Sequence, residues 1–441
     1  MTLTAPPAET RPRLLSPTYA ATTIGMFALC ALVAFEATAV TTVMPTVADE
    51  LDGLGLYALS FAAPLASGVV GMVAAGAWSD RRGPAVPLAV ALLLFSLGLV
   101  VCGVAPSMDV LVAGRVLQGL GGGALSVGLY VLVGLVFPQT LQPAVFASFA
   151  AAWVLPSLFG PALAALVADT VGWRWVFLGA VALAAGAAAL VAPSLRRLPP
   201  HDAGEPTPRS RLVWAVVAAV AVLAVDQVAV VALVVVVLAL RRLLPAGALL
   251  ARRGLPAVVG TRGLMSASFF CAEAYIVFVL QERWGLTPGT AGLALTFVGI
   301  TWAAASQVQA RLGTRVSDTA AMTWGSVLVL AGTVALAGVV WADLPPATAI
   351  ASYVAAGAGM GFGYPRTGVA MLAASSDADR GFNSSALSIA DSLGGAIALS
   401  ASGVIFAAAA RADGDPFLSV FVLATAIGAL SVVTAVRTTP R

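Results

Sequence analysis

Twelve stretches of predominantly apolar residues, each long enough to cross a bilayer, recur along this chain and decide what it can fold into. Crossing the ~30 Å hydrocarbon core takes roughly 20 residues of α-helix. Such runs fall near residues 19–44, 55–77, 86–105, 109–137, 143–168 and 175–194, and again near 259–281, 288–310, 319–341, 346–374, 383–410 and 417–437. Of 441 residues, 60% are apolar and only 10% charged, with a mean hydropathy of +0.98. A soluble domain carries about 25% charged residues. No water-soluble fold of this length hides that much apolar surface. Lipid is the solvent for most of the chain, and the expected fold is all-α.

Several function classes drop out. A net charge of +3, dispersed along the chain, gives no nucleic-acid surface. Cys30, Cys102 and Cys271 lie inside apolar runs at unrelated spacings, so neither a metal site nor a disulfide framework is expected. His201, the single histidine, sits in a polar loop. With no nucleophile–histidine pair, metal-ligand cluster or phosphate loop, an enzyme is not expected and no cofactor is implied. The glycine-rich run from Gly357 to Pro365 mimics a nucleotide loop, but no strand precedes it and it lies in a span. Its glycines suit close packing or bending. The first apolar run is too long for a signal-peptide core and stays as a span.

Two sets of six spans flank a polar linker (LRRLPPHDAGEPTPRSR) and one further apolar stretch, 213–240. The expected organisation is a tail at 1–18, a six-helix bundle at 19–195, a linker at 196–258 and a second six-helix bundle at 259–441. Paired structural repeats with a site between them are a common plan for secondary transporters. Arg11, Arg13, Arg81, Arg82, Arg196, Arg197, Arg209, Arg211, Arg311, Arg315, Arg380, Arg437 and Arg441 mark alternate loops, whereas the intervening loops carry Asp49, Glu50, Asp52, Asp109 and Asp343. The positive-inside rule then puts both termini in the cytoplasm. Arginines flank 213–240 on both sides, so both its ends belong on that side. Either a short membrane hairpin turning at Asp226-Gln227 or a re-entrant element satisfies this. The basic stretch that follows reads as an interfacial segment on the inner leaflet.

Local motifs narrow the class. The loop Gly76-Ala-Trp-Ser-Asp80-Arg81-Arg82-Gly83 pairs a small residue for helix approach with a glycine for a tight turn, and Asp80 suits a neighbouring helix N-terminus. It resembles the G-x-x-x-D-R-x-G signature of the major facilitator superfamily. The run Leu111-Val-Ala-Gly-Arg115-Val-Leu-Gln118-Gly119-Leu-Gly121-Gly122-Gly123 resembles the helix-4 signature of that family. Arg115, Gly119, Gly122, Ser126 and Tyr130 share one helix face. Gly160-Pro161 and Trp173-Arg174-Trp175-Val-Phe177 are similar to antiporter motifs, although Pro156 stands where their first glycine would be. Glu36-Ala-Thr38-Ala-Val40, with Pro45 five residues on, looks like the first helix of fourteen-helix drug:proton antiporters, in which an acidic residue precedes T-x-V-x-x-x-x-P. The resemblance implies a major facilitator fold of two six-helix bundles plus a short two-helix linker hairpin. It also implies alternating access, a latch at Gly76, Asp80, Arg81 and Gly83, and helix packing at Gly160 and Pro161.

Glu36, Arg115, Glu273, Arg366 and Asp391 are ionisable residues stranded in spans, where charge is expensive and functional by default. By helical rise, Glu36, Arg115 and Glu273 fall in one layer, ~9–12 Å from the outer helix ends. One arginine facing two carboxylates makes a proton switch, because the acid is charged while paired and favours its neutral form when the pair separates. Glu36, Arg115, Glu273 and Asp391 are therefore expected proton-coupling residues. Gln118, Gly119, Gly122, Ser126, Tyr130, Phe269, Phe270 and Tyr275 are the expected substrate cavity, its aromatics suited to a lipophilic cation. Arg366 and Asp391 lie at equal depth on adjacent helices and are expected to pair. Asp80 is expected to cap the 383–410 helix, near Asn383 and Ser384. The expected activity is proton-coupled export of a small amphipathic or cationic compound by an inner-membrane monomer. Proton-coupled or facilitated import of a nutrient is the alternative.

Overall fold

A computed structural model describes residues 14–138, 141–196, 209–376 and 380–439. His201 and most of the polar linker lie outside these residues. Among them the fold is all-helical, with fourteen α-helices and no strand. The first bundle comprises α1 (Ala20–Glu50), α2 (Tyr57–Arg82), α3 (Ala85–Gly103), α4 (Met108–Val136), α5 (Gln142–Val171) and α6 (Arg174–Arg196). A pair, α7 (Arg209–Leu223) and α8 (Val225–Leu243), follows. The second bundle comprises α9 (Leu255–Glu282), α10 (Pro288–Leu312), α11 (Asp318–Trp341), α12 (Pro346–Ala373), α13 (Arg380–Arg411) and α14 (Pro416–Ala435).

Local chemistry sets the helix boundaries. The side chains of Ser107, Thr287, Ser317 and Asp415 accept from the first-turn N–H groups of α4, α10, α11 and α14, satisfying donors that the helix leaves free. Pro288, Pro346 and Pro416 occupy first positions, where a missing N–H is harmless. Gly83, at φ 75°, ends α2 in a conformation that a side chain resists.

Eleven described helices are long and apolar enough to cross a membrane. α12 is long enough but too rich in glycine to be as apolar. Those glycines bury its backbone instead. Gly359 and Gly363 meet Gly325 of α11, and Gly361 meets Trp302 of α10. In the first bundle Gly68 and Gly71 of α2 meet Gly123 and Leu120 of α4 in the same way. Without a hydrophobic drive between helices in lipid, such close backbone packing is what holds them.

Successive helices alternate in direction, so the loops at 51–56, 104–107, 172–173, 283–287, 342–345 and 412–415 share one face, here called distal. The opposite face, here called terminal, carries the start of α1 and the end of α14; there Gly254 N donates to Arg437 O at 3.0 Å. Two hydrogen bonds cross directly between the bundles among the described residues, and both lie toward the distal side. Tyr57 Oη donates to Ala274 O at 2.6 Å, and Thr296 Oγ1 to Leu158 O at 3.4 Å. Around the first bond Tyr57 of α2, itself edge-on to Phe61, meets Tyr275 and Phe278 of α9, and the contacts continue to Phe406 and Phe417, with successive centroids 4.8–5.5 Å apart. The distal end is thus closed by aromatic contact.

Each bundle also closes on itself at that end. Glu50, ending α1, accepts from Trp173 Nε1 at 2.8 Å and pairs with Arg174, starting α6, at 2.6 Å. Arg174 also donates to Ala105 O in the α3–α4 loop at 3.4 Å. In the second bundle Arg283, following α9, pairs with Asp415 at the start of α14 at 2.6 Å and with Asp343 in the α11–α12 loop at 3.0 Å. The same three structural positions are joined in both halves, with the charges exchanged.

α7 and α8 form an antiparallel hairpin, since Arg242 lies over the Trp214 ring at 6.0 Å. The chain turns at Ala224, and α8 kinks at Val228 (φ −139°, ψ 52°). The sequence placed the turn at Asp226-Gln227, a little further on; the apolar helix ends before this polar pair, not at it. α7 packs on α2, α8 packs on α13, and Ser400 Oγ donates to Val222 O at 3.2 Å. The hairpin therefore covers the seam between the bundles.

Candidate functional site

The glycine contact between α2 and α4 determines the first charged cluster. It draws the Ser60 carbonyl of α2 to within 3.0 Å of Arg115 Nε. Arg115 Nη1 donates to Gln118 Oε1, one turn on, at 2.9 Å, and the same nitrogen meets Glu36 Oε1 of α1. Arg115 is 4% exposed and Glu36 11%, so this ion pair lies inside the first bundle. Cys102 of α3 contributes a weak Sγ–H bond to Gln118 Oε1 at 3.7 Å, leaving Gln118 Nε2 buried without a partner. An arginine so placed satisfies its donors on two carbonyl-type oxygens and one carboxylate. The carboxylate is the only one of the three that protonation would remove.

A second cluster occupies the other bundle nearer the terminal face. Gly263 of α9 packs against Ala390 of α13, and Gly394 of α13 against Gly263. This sets Arg262 Nε 3.1 Å from Asp391 Oδ1, with Ser266 Oγ on the same oxygen. Tyr364 Oη of α12 bonds both carboxylate oxygens at 3.0 and 2.9 Å. The Arg262 guanidinium lies 3.3 Å from the Tyr364 ring centroid and donates to Thr367 Oγ1 at 3.0 Å. Arg262 and Asp391 are 17% and 21% exposed, more open than the first pair.

Arg366 and Asp391 do not pair. Arg366 turns to Asp318 at the start of α11, 2.8 Å away, and donates to the carbonyls of Gly313 (2.6 Å) and Gln309 (3.3 Å) at the end of α10. Equal depth on neighbouring helices did not suffice, because α12 presents Arg366 to α10 and α11 while Asp391 faces α9. Arg262 lay too near the end of its apolar run to count as stranded, yet it holds Asp391. Charge at a span's margin, read together with a stranded acid, was the available signal.

Glu273 does not join Arg115 and has no ion-pair partner among the described residues. Tyr353 lies beside it, its buried hydroxyl next to the Glu273 carboxyl group. Phe269 stacks on Tyr353 at 5.2 Å and meets Trp302 edge-on at 5.4 Å; Trp302 in turn meets Tyr364 at 5.6 Å. An aromatic ladder thus runs from Glu273 toward Asp391.

The expected cavity wall is partly redistributed. Gly119 serves helix packing, since a Cβ there would collide with Pro64 and Ser67. Gln118, 1% exposed, belongs to the Arg115 cluster. Tyr275 belongs to the distal aromatic closure, and Phe269 is buried in the ladder. Gly122 and Ser126 are half-buried and Tyr130 is exposed on the same face, while Phe270 packs beside Gly395. Gly160 abuts Thr38 and Phe35 of α1, and Pro161 meets Gly292 across the two bundles. Gly76 borders Val127 loosely, Gly83 makes the turn after α2, and Arg81 is exposed. The Asp80 side chain and its expected latch lie outside the described residues, as does the Arg380 side chain.

The two-bundle helical fold has counterparts among known proteins. The profile of the Major Facilitator Superfamily matches residues 26–279. The chain belongs to that family. This transporter is 27% identical over 430 residues, 90% of each chain, to a protein described as a probable multidrug-efflux transporter of Mycobacterium tuberculosis. It is 31% identical over 144 residues, 33% of this chain and 28% of the other, to multidrug resistance protein 3 of Bacillus subtilis. In fold it matches the crystal structure of a D-xylose-proton symporter with a TM-score of 0.71, 14% identity and coverage of 95% and 98% of the two chains. A POT family transporter in complex with 5-aminolevulinic acid follows at 0.70, 15% identity and 95% and 96% coverage. The transporter is thus a multi-pass membrane protein of a family that moves small molecules, and not an enzyme.

Proposed function

We propose that this transporter exports a small amphipathic or cationic compound in exchange for protons, by alternating access, as a monomer in the inner membrane with both termini in the cytoplasm. The Glu36–Arg115 pair carries this reading: a carboxylate held inside an apolar bundle by one arginine. Protonation of Glu36 cancels the charge that holds Arg115 and frees the guanidinium to rearrange, coupling proton binding to helix movement. Asp391, held by Arg262, Ser266 and Tyr364, is the second coupling site, nearer the terminal face. Glu273, with no cationic partner among the described residues and flanked by the Phe269–Tyr353 stack, suits the charged end of an amphipathic cation. The Asp80 loop is the terminal-face latch. The efflux names of the relatives above favour export.

Flux in proteoliposomes tests this. An acid-inside pH gradient should drive uptake of a fluorescent lipophilic cation such as ethidium, with proton exit, and a protonophore should abolish both. Glu36→Gln should remove uphill uptake while the protein stays monodisperse. Movement of ethidium in the same direction as the proton, or wild-type uphill transport by Glu36→Gln, overturns the exchange.

A further inference from the structure

The α7–α8 hairpin carries a feature that the transport cycle does not use. At its terminal-face end Trp214 of α7 and Leu238, Arg241 and Arg242 of α8 line a half-open groove of about 430 Å³. Arg241 and Arg242 are exposed and have no ion-pair partner among the described residues, in contrast to Arg115, Arg174, Arg262, Arg283 and Arg366. Arg242 is oriented over the Trp214 ring. Two free guanidiniums beside one indole make a receptor for a phosphate ester: the guanidinium fork matches phosphate oxygens, and an indole sits naturally at headgroup depth.

The surface leading from this groove identifies the source of the phosphate. On α8, Val231, Val234 and Leu238 are 61%, 55% and 46% exposed, and their spacing puts them on one face, one turn apart, in line with Arg241 and Arg242. An apolar stripe therefore runs from the groove along the hairpin into the hydrocarbon. A free anion has no use for such a stripe, whereas acyl chains lie along it.

We propose that the Trp214–Leu238–Arg241–Arg242 pocket binds the headgroup of an anionic phospholipid from the leaflet at the terminal face, with acyl chains along Val234 and Val231. Its place gives the lipid leverage. Arg211, on the same hairpin, donates to Ser385 Oγ of α13 at 3.3 Å and lies 4.8 Å from the Phe382 ring, while the hairpin also packs on α2. A bound headgroup would neutralise the arginines and fix the hairpin on the seam that opens and closes during transport.

The test uses the full chain in phosphatidylcholine nanodiscs carrying graded phosphatidylglycerol, with retained lipid counted by native mass spectrometry. Wild type should keep about one phosphatidylglycerol after delipidation, and the lipid should raise its melting temperature. R241Q/R242Q should lose both effects at least tenfold in affinity, W214A should weaken them with the charges intact, and R252Q/R253Q, equal in charge but outside the pocket, should behave as wild type. Equal loss in the two double variants would mean a diffuse basic surface and overturn the site. Competition by millimolar inorganic phosphate would assign the pocket to a free anion and overturn the lipid. Binding that emerges only in D202N/E205Q would mean that the linker's own acids occupy the pocket.

Discussion

The Glu36–Arg115 contact is the observation on which the proposed proton coupling rests, and its energy is open to measurement. Arg115, 4% exposed, retains the Ser60 carbonyl and Gln118 when Glu36 is replaced. Glu36→Gln keeps an acceptor in place and loses mainly charge assistance, about 1–3 kcal/mol. Arg115→Met is more severe, because it takes the arginine from Glu36 and the Ser60 carbonyl at once and leaves Gln118 Oε1 only the weak Cys102 bond. Removing one member of a buried pair costs about 3–5 kcal/mol. In the double variant no charge remains unpaired, so its loss should fall short of the summed single losses by about 2–3 kcal/mol. Unfolding in mixed micelles, followed by circular dichroism against denaturing detergent, provides the four free energies. Losses that add to within about 0.5 kcal/mol would show that the residues do not interact energetically, and the coupling mechanism would lose its basis.

Other outcomes follow from the same geometry. Arg366→Ala and Asp318→Ala should show a coupling of about 1–3 kcal/mol in a double-mutant cycle, whereas Arg366→Ala and Asp391→Ala should add; the reverse pattern in melting experiments would restore the pairing read from sequence. Tyr57→Phe removes the bond to Ala274 O, worth about 1 kcal/mol, and should lengthen spin-label distances across the distal loops without unfolding the protein; unchanged distances would mean that the bond does not hold the closure. Gly123→Val should abolish folded yield, because any Cβ there meets the Gly68 backbone, while Gly134→Ala, with nothing nearby, should be silent; comparable yields would refute the packing. Cysteines at 248 and 438 in a cysteine-free background should both resist an impermeant thiol reagent in intact cells, and labelling at either would reverse the assigned orientation.

Much of the architecture was legible because lipid makes a single demand, length of apolar helix, and eleven described helices meet it, with the glycine-rich α12 close behind. Arg115 was legible for the same reason: a guanidinium in the middle of such a run has to be paired, and Glu36 occupied the matching depth. What depth cannot supply is azimuth. Arg366 and Asp391 sit at one level, yet a rotation of their helices sends one to Asp318 and the other to Arg262. Gly119 looked like a cavity residue because it shares a face with Arg115, but that face spans both the packed α2–α4 seam and open space. Tyr275, two residues from Glu273, points into the distal closure instead, since positions two apart on a helix are rotated by about 200°. Asp318 and the carbonyls of Gln309 and Gly313 were invisible as partners because loop ends carry no periodicity to place them.

The exchanged charges at the distal helix ends bear on how a chain made of two similar halves assembles. Glu50 ends the first helix of one half and Arg283 follows the first helix of the other; Arg174 and Asp415 begin the respective sixth helices. Had both halves used the same polarity, α1 could close equally well on α14, and α9 on α6. As the chain is written, the first of those mispairings sets Glu50 against Asp415, and the second sets Arg174 against Arg283. Like charges brought together repel, and specificity of this kind depends on making the wrong partner unfavourable as much as the right one favourable. During insertion, when helices of both halves share one membrane, the charge at each closing position disfavours the other half's closing helix.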